Sequence, residues 1–406
     1  MYADKKYFFI FCFFLTNAIP QLLIGSTFAY YLAQEGIRVQ QIALFSLCTL
    51  PSALRILWSF VVDAVPIPIL SPLLGQRRAW LLASQLLVAI LLLMLSQQMA
   101  PLDLTYMGLL CTGLSFAATI QHICSLSYQV ETLRDKQFGI AESIGILGYR
   151  MGMLLAGAGA FYLSAYWDWD QIYQSLAFFS LLGPVCTLLI APPTQPSAPP
   201  QLQNWLHTHI VAPIHNFKTQ PRYLTILLVL FLYCSGDHFI VKLQNVYFAE
   251  LGFSAIEIAN AVKLFGMGMT LISSLIAGLL LYRYSLKHCL WAIGFLHSLS
   301  FLSFILLAHT PTLSLLYLVS ALEHFTGGMH ITCIFTLQLR YCNPQYAATH
   351  LGILGSCFTL NRILCASSAG WIVTHYGWTM LFSVACIISL VSLYWVTKLP
   401  EPNNRK

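Results

Sequence analysis

Apolar runs long enough to cross a bilayer follow one another through almost the whole chain. A transmembrane helix needs about 20 apolar residues, and turn-forming or charged residues separate nearly every pair of runs. Charged residues make up 8% of the 406 and hydrophobic residues 58%, whereas about a quarter of the residues of a soluble protein are charged. We therefore predict an all-α integral membrane protein with twelve transmembrane helices, near residues 7–32, 41–62, 79–99, 105–128, 138–165, 172–191, 223–248, 256–282, 288–309, 312–339, 346–373 and 376–398.

One long polar segment, Ala191 to Arg222, divides these runs into two sets of six. It contains seven prolines among Ser, Thr and Gln, so it can neither continue a helix nor bury a core. We predict an N-terminal six-helix half at 1–191, a linker at 192–222 and a C-terminal six-helix half at 223–406. Within the linker, residues 202–217 are predicted to form a short helix on the membrane surface.

The distribution of lysine and arginine predicts the orientation in the membrane, because short cytoplasmic loops are enriched in both. The opposite loops carry only Arg38. Both termini and the linker are therefore predicted to be cytoplasmic. The basic residues on that side are Lys5, Lys6, Arg77, Arg78, Arg134, Lys136, Lys218, Arg222, Arg283, Lys287, Arg340, Lys398, Arg405 and Lys406.

The two halves are related in sequence. The pattern Y-x-A-x-x-G-x-x-x-x-x-I-A from Tyr31 to Ala43 recurs from Tyr247 to Ala259, at the same place in each half. Arg150 and Arg362 each lie in a helix rich in small residues and are predicted counterparts. Two parallel six-helix repeats joined by a cytoplasmic linker are the plan of the major facilitator transporters.

Several charged residues lie inside predicted spans. A charge near the bilayer centre costs from about 2.5 kcal/mol upward, so such residues face a polar interior and mark substrate or ion pathways. The alternative is a set of structural ion pairs that hold helices together. Because the cations outnumber the acids, we predict a positive cavity that binds an anionic solute. The cations are Arg55, Arg150, Lys242, Lys263 and Arg362, and the acids are Glu142, Asp237 and Glu323.

Signatures of catalysis and of metal binding are absent from the sequence. It has no HExxH, GxSxG or Walker motif, so we predict neither an enzyme nor a cofactor. Glu323, His324 and His330 share one short stretch, and Glu323 and His330 are one heptad apart on the same helix face. The spacing could support a metal, but no third or fourth ligand is indicated, and no metal is predicted. The twelve cysteines include no CxxC, and the basic residues form no patch suited to nucleic acid.

Several stretches resemble the AmpG-type muropeptide permeases, a branch of the major facilitator superfamily related to the acetyl-coenzyme A transporters. LGYRMGML around Arg150 and LPSALRILWSFVVD around Arg55 carry the most specific similarity. The matching stretches run in the expected order through both halves, at Gly25–Ile37, Leu44–Asp63, Leu73–Trp80, Ile146–Leu154, Gly236–Gly266, Leu322–Gly328 and Tyr341–Ser356.

The resemblance implies proton-coupled import of a cell-wall product, an N-acetylglucosaminyl-anhydro-N-acetylmuramyl peptide or disaccharide, across a bacterial inner membrane. Arginines would then contact the carboxylates of the substrate. Asp63, Gly75, Arg77 and Arg78 match the superfamily's cytoplasmic gating loop, in which the acid pairs with basic groups or a helix N-terminus. The predicted substrate contacts are Arg55, Gln121, Arg150, Lys242, Lys263 and Arg362.

The fourth span departs from the family pattern. The family usually shows Q-D-I-x-x-D-x-Y-R-x-E, but the stretch from Gln121 to Glu131 reads QHICSLSYQVE, without both acids and the arginine. If those acids carry protons in the family, coupling here must use His122, Asp237 or Glu323. A changed substrate is equally consistent with the departure.

Two other functions therefore stay open from the sequence. The protein would transport another anion, such as an acyl-coenzyme A or an organic acid, or it would be a membrane sensor that has lost transport. The retained cations and gating loop favour a transporter. The expected partners are a small anionic solute, protons and membrane lipid, and the expected state is a monomer.

Overall fold

The computed structural model describes residues 2–37, 41, 44–99, 103–190, 210–241 and 243–400, and every regular element in these ranges is helical. The first half contains Tyr2–Leu23, Ser26–Gln34, Leu50–Ala53, Arg55–Ala64, Leu70–Leu74, Gln76–Ser96, Leu104–Thr132, Phe138–Leu154, Ala160–Leu163, Trp169–Ser180 and Leu182–Leu189. The remainder contains Ala212–Lys218, Tyr223–Tyr233, Ser235–Ile240, Gln244–Glu250, Ala255–Ile258, Gly266–Arg283, Leu286–His309, Leu313–Arg340 and Ala347–Thr397. Single π-helical stretches at Leu155–Gly159 and Ala259–Phe265 continue two of these helices.

The helices of the described residues account for the predicted twelve spans, which are numbered 1 to 12 in chain order. Nine helices are long and apolar enough to cross a bilayer, and a pair bent by 54° within residues 47–64 is a tenth. The 54-residue segment Pro344–Thr397 contains two spans, because the backbone of Gly377 is not helical. Leu313–Arg340 is 28 residues long, carries Glu323 and two histidines, and is the remaining span. The predicted all-α membrane fold is thus confirmed.

Some predictions fall on residues outside the described ranges. These are the substrate contact Lys242, the loop residue Arg38, the repeat residues Ile42 and Ala43, the last six residues and most of the linker. The predicted surface helix at 202–217 is described only from residue 210 onward, where Ala212–Lys218 is helical.

The chain forms two compact units. The first unit comprises Met1–Leu133, Ile144–His215 and Cys342–Gly352, and the second comprises Arg134–Ser143, Asn216–Tyr341 and Ile353–Lys406. Each unit therefore contains most of one predicted half and the first residues of a span from the other half, span 11 in the first unit and span 5 in the second. The predicted domain boundaries at 191 and 222 remain a prediction.

Each unit has its own apolar core. In the first unit, buried side chains of spans 1, 3, 4 and 6 pack together, including Ile19, Leu92, Leu114 and Tyr173. In the second unit the core is aromatic, and the ring of Phe304 stacks on Phe248 and Phe382 at centroid distances of 5.9 Å and 4.9 Å.

The sequence repeat corresponds to a structural repeat. Gly36 and Gly252 both adopt positive φ, 75° and 89°, which glycine does without steric cost. The preceding tyrosines are both 1% exposed. The hydroxyl of Tyr31 donates to the carbonyl of Met99 at 2.8 Å, and that of Tyr247 to the carbonyl of Phe304 at 2.5 Å.

A tryptophan at the start of each half's last span completes this arrangement. Trp169 Nε1 donates to Gln34 Oε1 at 2.9 Å, and Trp378 Nε1 donates to Glu250 Oε2 at 2.6 Å. Gln34 and Glu250 are separated by the same 216 residues as the tyrosines, but the tryptophans are 209 apart. The repeat therefore extends to the sixth span of each half. Sequence comparison at the 216-residue offset of the tyrosines misses this part, because the two tryptophans are 209 residues apart.

Replacing Gly148 by valine should prevent normal packing of span 5 on span 1. A Cβ added at Gly148 would overlap the backbone carbonyl of Phe11, and backbone cannot move aside as a side chain can. Overpacking of this kind typically costs about 1–3 kcal/mol, so we expect a lower thermal unfolding midpoint for the purified protein in detergent. Gly268→Ala is the control, since an added Cβ there meets nothing within 4 Å. Equal melting of wild type and Gly148→Val would contradict this contact.

Candidate functional site

Spans 2 and 4 of the first unit bring predicted site residues together. The guanidinium of Arg55 donates through Nη2 to Nδ1 of His122, and the ring of Phe14 meets the His122 ring edge-on at 5.8 Å. One residue earlier, Gln121 is 1% exposed and donates from Nε2 to Thr16 Oγ1 at 3.1 Å. Spans 1, 2 and 4 thus hold a polar cluster inside an apolar unit.

A second cluster of the first unit, the Asp63 cluster, consists of Asp63, Arg77 and Glu131. Arg77 donates from Nη2 to Asp63 Oδ1 at 2.7 Å and from Nε to Glu131 Oε1 at 2.8 Å, and the three side chains are 6–13% exposed. The other oxygen of Asp63 accepts the backbone N–H of Thr349 at 2.7 Å, in the first turn of Ala347–Thr397. Such N–H groups have no partner within their helix and attract anions.

The remaining residues of the predicted gating loop flank this cluster. Gly75 has a φ of 83° and precedes the helix Gln76–Ser96. Arg78 is buried and donates to the carbonyls of Thr187 and Leu188 at 3.3 Å and 3.1 Å, at the end of span 6. A cation at a helix C-terminus is favourable, so Arg78 fixes span 6 while Arg77 holds the two acids.

In the second unit, Asp237 lies between two histidines from other spans, and we call these three residues the Asp237 cluster. Asp237 Oδ1 is 2.7 Å from His297 Nε2, and Oδ2 is 3.1 Å from His330 Nδ1. The far nitrogens are also engaged: Nδ1 of His297 lies 2.8 Å from Thr326 Oγ1, and Nε2 of His330 lies 3.0 Å from the carbonyl of Tyr233. The histidines are 1–2% exposed, and Asp237 is 22% exposed.

The Asp237 cluster has the residue types of a metal site, and its ligand atoms lie within 4.8 Å of one another. Ligands of a tetrahedral zinc ion at its usual bond lengths stand about 3.3 Å apart. The two contacts made by Asp237 are shorter, at 2.7 Å and 3.1 Å. Both lie within hydrogen-bond distance, but only the His297 contact is aligned as a hydrogen bond. Nδ1 of His330 is buried without a hydrogen-bond partner, so the cluster fits one shared proton and leaves one nitrogen open to a second.

The helix set Glu323, His324 and His330 is not brought together as one site. Glu323 Oε2 contacts His324 Nδ1 and lies 3.5 Å from Gln244 Nε2. His330 instead stacks on Tyr233 at a centroid distance of 4.2 Å. Residues seven apart share a helix face, but here a different segment of span 7 meets each of them.

The other predicted substrate contacts occupy varied environments. Arg150 is half-buried in Phe138–Leu154 and interacts with neighbouring groups. Lys263 lies in the π-helical stretch of span 8 and is exposed, as is Arg362 in span 11. Asn361, the residue before Arg362, joins two groups beside Asp237: its side chain lies 2.5 Å from His238 Nδ1 and donates to Ser235 Oγ at 2.9 Å.

His297, Thr326 and Thr349 were not predicted as site residues. His297 is the only ionisable residue in the interior of span 9, and an ionisable residue within a span is a functional candidate by default. That signal identifies the residue but not its partner, because Asp237 is 60 positions away on another helix. The Thr349 contact is made by backbone, so no side-chain pattern indicates it.

Comparison with known proteins places this architecture in a family. The sequence model of the Major Facilitator Superfamily matches residues 7–363 and 239–406. The chain is 28% identical to the "Putative transporter AmpG 4" of Rickettsia conorii over 97% of this chain and 96% of that protein. It is 29% identical to the "Anhydromuropeptide permease" of Escherichia coli K12 over 92% of this chain and 75% of that protein.

A solved structure has the same fold. The proton:xylose symporter XylE superposes with a TM-score of 0.70 at 12% identity, over 98% of this chain and 95% of XylE. The predicted resemblance to AmpG-type permeases is confirmed by the curated relatives, and the predicted major facilitator fold by this structure. With a family match along nearly its whole length, two related halves and charged clusters inside its spans, the chain belongs to the Major Facilitator Superfamily and is a transporter.

Proposed function

We propose that this protein imports anionic anhydromuropeptides from the periplasm to the cytoplasm of a bacterium, together with protons, by alternating access. The observation that carries the proposal is its similarity to the anhydromuropeptide permease of E. coli over 92% of the chain. Putative AmpG transporters of Rickettsia, 26–28% identical over at least 93% of the chain, support the same substrate class.

The charges retained inside the spans suit such a substrate. Peptide carboxylates are bound most specifically by arginine, whose planar guanidinium makes two parallel hydrogen bonds. Arg55, Arg150 and Arg362 are proposed to bind carboxylates, with further contacts from Gln121, Lys242 and Lys263.

Proton coupling is proposed to use His122, Asp237 and Glu323, in place of the fourth-span acids of the family. Each of them contacts a basic side chain, and a proton bound to either partner would change the electrostatic interaction between the two. The guanidinium of Arg55 has only donors, so His122 Nδ1 must accept in their contact. A proton on that nitrogen breaks the contact and places two cations side by side, which would release Arg55 for the substrate.

The Asp63 cluster, with Gly75 and Arg78, is proposed as the cytoplasmic gate. Asp63 holds both Arg77 and the first turn of Ala347–Thr397, and the release of substrate into the cytoplasm requires this contact to break.

We further propose that the protein lies in the cytoplasmic membrane with both termini in the cytoplasm, that it contacts lipid around its spans, and that it acts as a monomer.

Uptake into right-side-out vesicles tests the function. Vesicles containing the protein would receive labelled anhydromuropeptide with and without an imposed pH gradient, beside vesicles without the protein. Gradient-dependent accumulation is the expected result. Entry only to equilibrium would reject proton coupling, and no entry through protein shown to be inserted would reject this substrate.

A transporter of a different anion is the second candidate, motivated by the fourth span, where His122 replaces an acid of the family pattern. Under that hypothesis an acyl-coenzyme A or an organic acid competes for uptake more strongly than unlabelled anhydromuropeptide. A competition panel in the same vesicles separates the two substrates.

A further inference from the structure

We propose that the Asp237 cluster is a site that binds a coupling proton, with His297 and His330 as the proton-binding groups and Asp237 as their counter-ion. This inference rests on the proposed proton-coupled function and names the residues that carry it. Of the three, only Asp237 stands out in the sequence as a coupling candidate.

The hydrogen-bond partners of His330 leave a place for a proton. The carbonyl of Tyr233 can only accept, so Nε2 of His330 carries a hydrogen. A neutral imidazole has one such hydrogen, so Nδ1 carries a lone pair. Nδ1 lies 3.1 Å from Asp237 Oδ2 and is buried without a hydrogen-bond partner. Two acceptors at this distance repel each other unless a proton lies between them.

His297 repeats the arrangement on the other carboxylate oxygen. The hydroxyl of Thr326 donates to the carbonyl of Leu322 at 2.7 Å, so it accepts from Nδ1–H of His297 at 2.8 Å. Nε2 of His297 therefore also faces Asp237 with a lone pair, at 2.7 Å. The cluster has two positions for a proton, and with both empty a carboxylate faces two lone pairs in an apolar unit.

Other titratable groups among the described residues face the cluster. Three of them lie on span 7: Tyr233 and Cys234 precede Asp237 in the chain, and His238 follows it. Each interacts electrostatically with that acid. Glu323 on span 10 interacts with His297. Asp237 is more exposed than the two histidines that it contacts, so the proton reaches them through Asp237.

The position of Asp237 connects the cluster to a predicted substrate contact. Asp237 lies in the short helix Ser235–Ile240, which follows a turn of span 7 at Cys234. Interrupted helices form the ion and substrate sites of many transporters. Asn361 contacts this helix through Ser235 and His238 and precedes Arg362. A change of charge at Asp237 thus acts on the segment that positions Arg362.

The test compares two transport assays on the full chain in proteoliposomes. Counterflow exchanges labelled for unlabelled anhydromuropeptide without net proton movement, whereas accumulation is driven by the pH gradient. A gradient of about one pH unit coupled to one proton sustains about tenfold accumulation. We expect Asp237→Asn, His297→Gln and His330→Gln to retain counterflow and to lose accumulation, while the exposed His375→Gln behaves as wild type. Accumulation by the three variants at the wild-type level would overturn the proposal.

A substrate-free readout separates this inference from the proposed function. Purified protein in dilute buffer with an indicator dye would be stepped across about pH 5 to about pH 8, where histidine titrates. The wild type should exchange more protons than Asp237→Asn or the double variant His297→Gln/His330→Gln. Equal proton exchange would overturn the proton site even if the substrate is transported. If no anhydromuropeptide is transported, the proposed function fails, and this measurement still decides the inference.

Thr326 is a positioning residue for His297 and gives a further check. Thr326→Val removes the acceptor of Nδ1–H, so the His297 ring can turn and the pH profile of accumulation should shift. Thr326→Ser retains the hydroxyl and should restore the wild-type profile. A shift of equal size in both variants would indicate a packing effect and would count against this role.

Discussion

Replacing Arg77 by glutamine should abolish uptake and destabilise the protein by about 3–5 kcal/mol, the usual cost of removing one partner from a buried ion pair. Arg77 bridges Asp63 and Glu131, and all three side chains are at most 13% exposed. Without the guanidinium, two carboxylates remain close together with no cation between them. The measurement is thermal unfolding of the purified protein, together with uptake in vesicles.

Matched variants distinguish the effect of the charge of Arg77 from the effect of its contact with two carboxylates. Arg77→Lys keeps the charge but cannot direct two nitrogens at two carboxylates, so it should have an intermediate effect. Asp63→Asn leaves Arg77 paired with Glu131 and should melt closer to wild type than Arg77→Gln does. Arg283→Gln removes an exposed cation at the end of the helix Gly266–Arg283 and is the control. If Arg77→Gln melts like Arg283→Gln, the cluster does not stabilise the described state.

Replacing Arg150 by glutamine should lower uptake by about ten- to hundredfold, because a hydrogen bond to a charged group is worth about 1.5–3 kcal/mol. Arg150 lies half-buried in a helix whose packing on span 1 depends on Gly148 and Gly152. The position of its side chain is therefore defined by a rigid contact. Initial uptake rates would be measured over a range of substrate concentrations and normalised to the inserted protein.

The control for Arg150 must separate binding from insertion. Arg150→Lys keeps a cation at the same place and should retain part of the uptake, whereas Arg150→Gln should be inserted in equal amount and be nearly inactive. Arg283→Gln serves again as the exposed control. Uptake by Arg150→Gln at the wild-type rate would remove this residue from the proposed substrate site.

The sequence alone was sufficient for the architecture because the bilayer imposes a simple length rule. Spans 3, 4, 6 and 9 begin and end within a few residues of the apolar runs that predict them. The polar span Leu313–Arg340 was also predicted, although its charged and polar side chains weaken the apolar signal. The length of this run and the turn-forming residues on either side of it are sufficient to predict the span.

The charged residues inside the spans were also evident from the sequence, but their partners were not. Glu323 and His330 share a helix face by spacing, yet Glu323 contacts His324 while His330 lies against Asp237. His122 is predicted from the sequence as a proton carrier, and the structure places it in contact with Arg55. Each partner is on another helix or is an immediate neighbour whose rotamer determines the contact, and periodicity describes only one helix at a time.

The sequence by itself determined that this is a twelve-span transporter. It also predicts a divided chain, a cationic interior and a gating loop with Asp63, Gly75, Arg77 and Arg78. These follow from local properties, namely the apolar length of each run, the prolines of the linker and the cost of charge in lipid. Only the tertiary structure decided that His297 and His330 meet Asp237, and that Asp63 caps the first turn of span 11 through Thr349. The physical reason is that helices in a membrane are brought together by packing of small and polar faces, which depends on the whole bundle and not on any one segment.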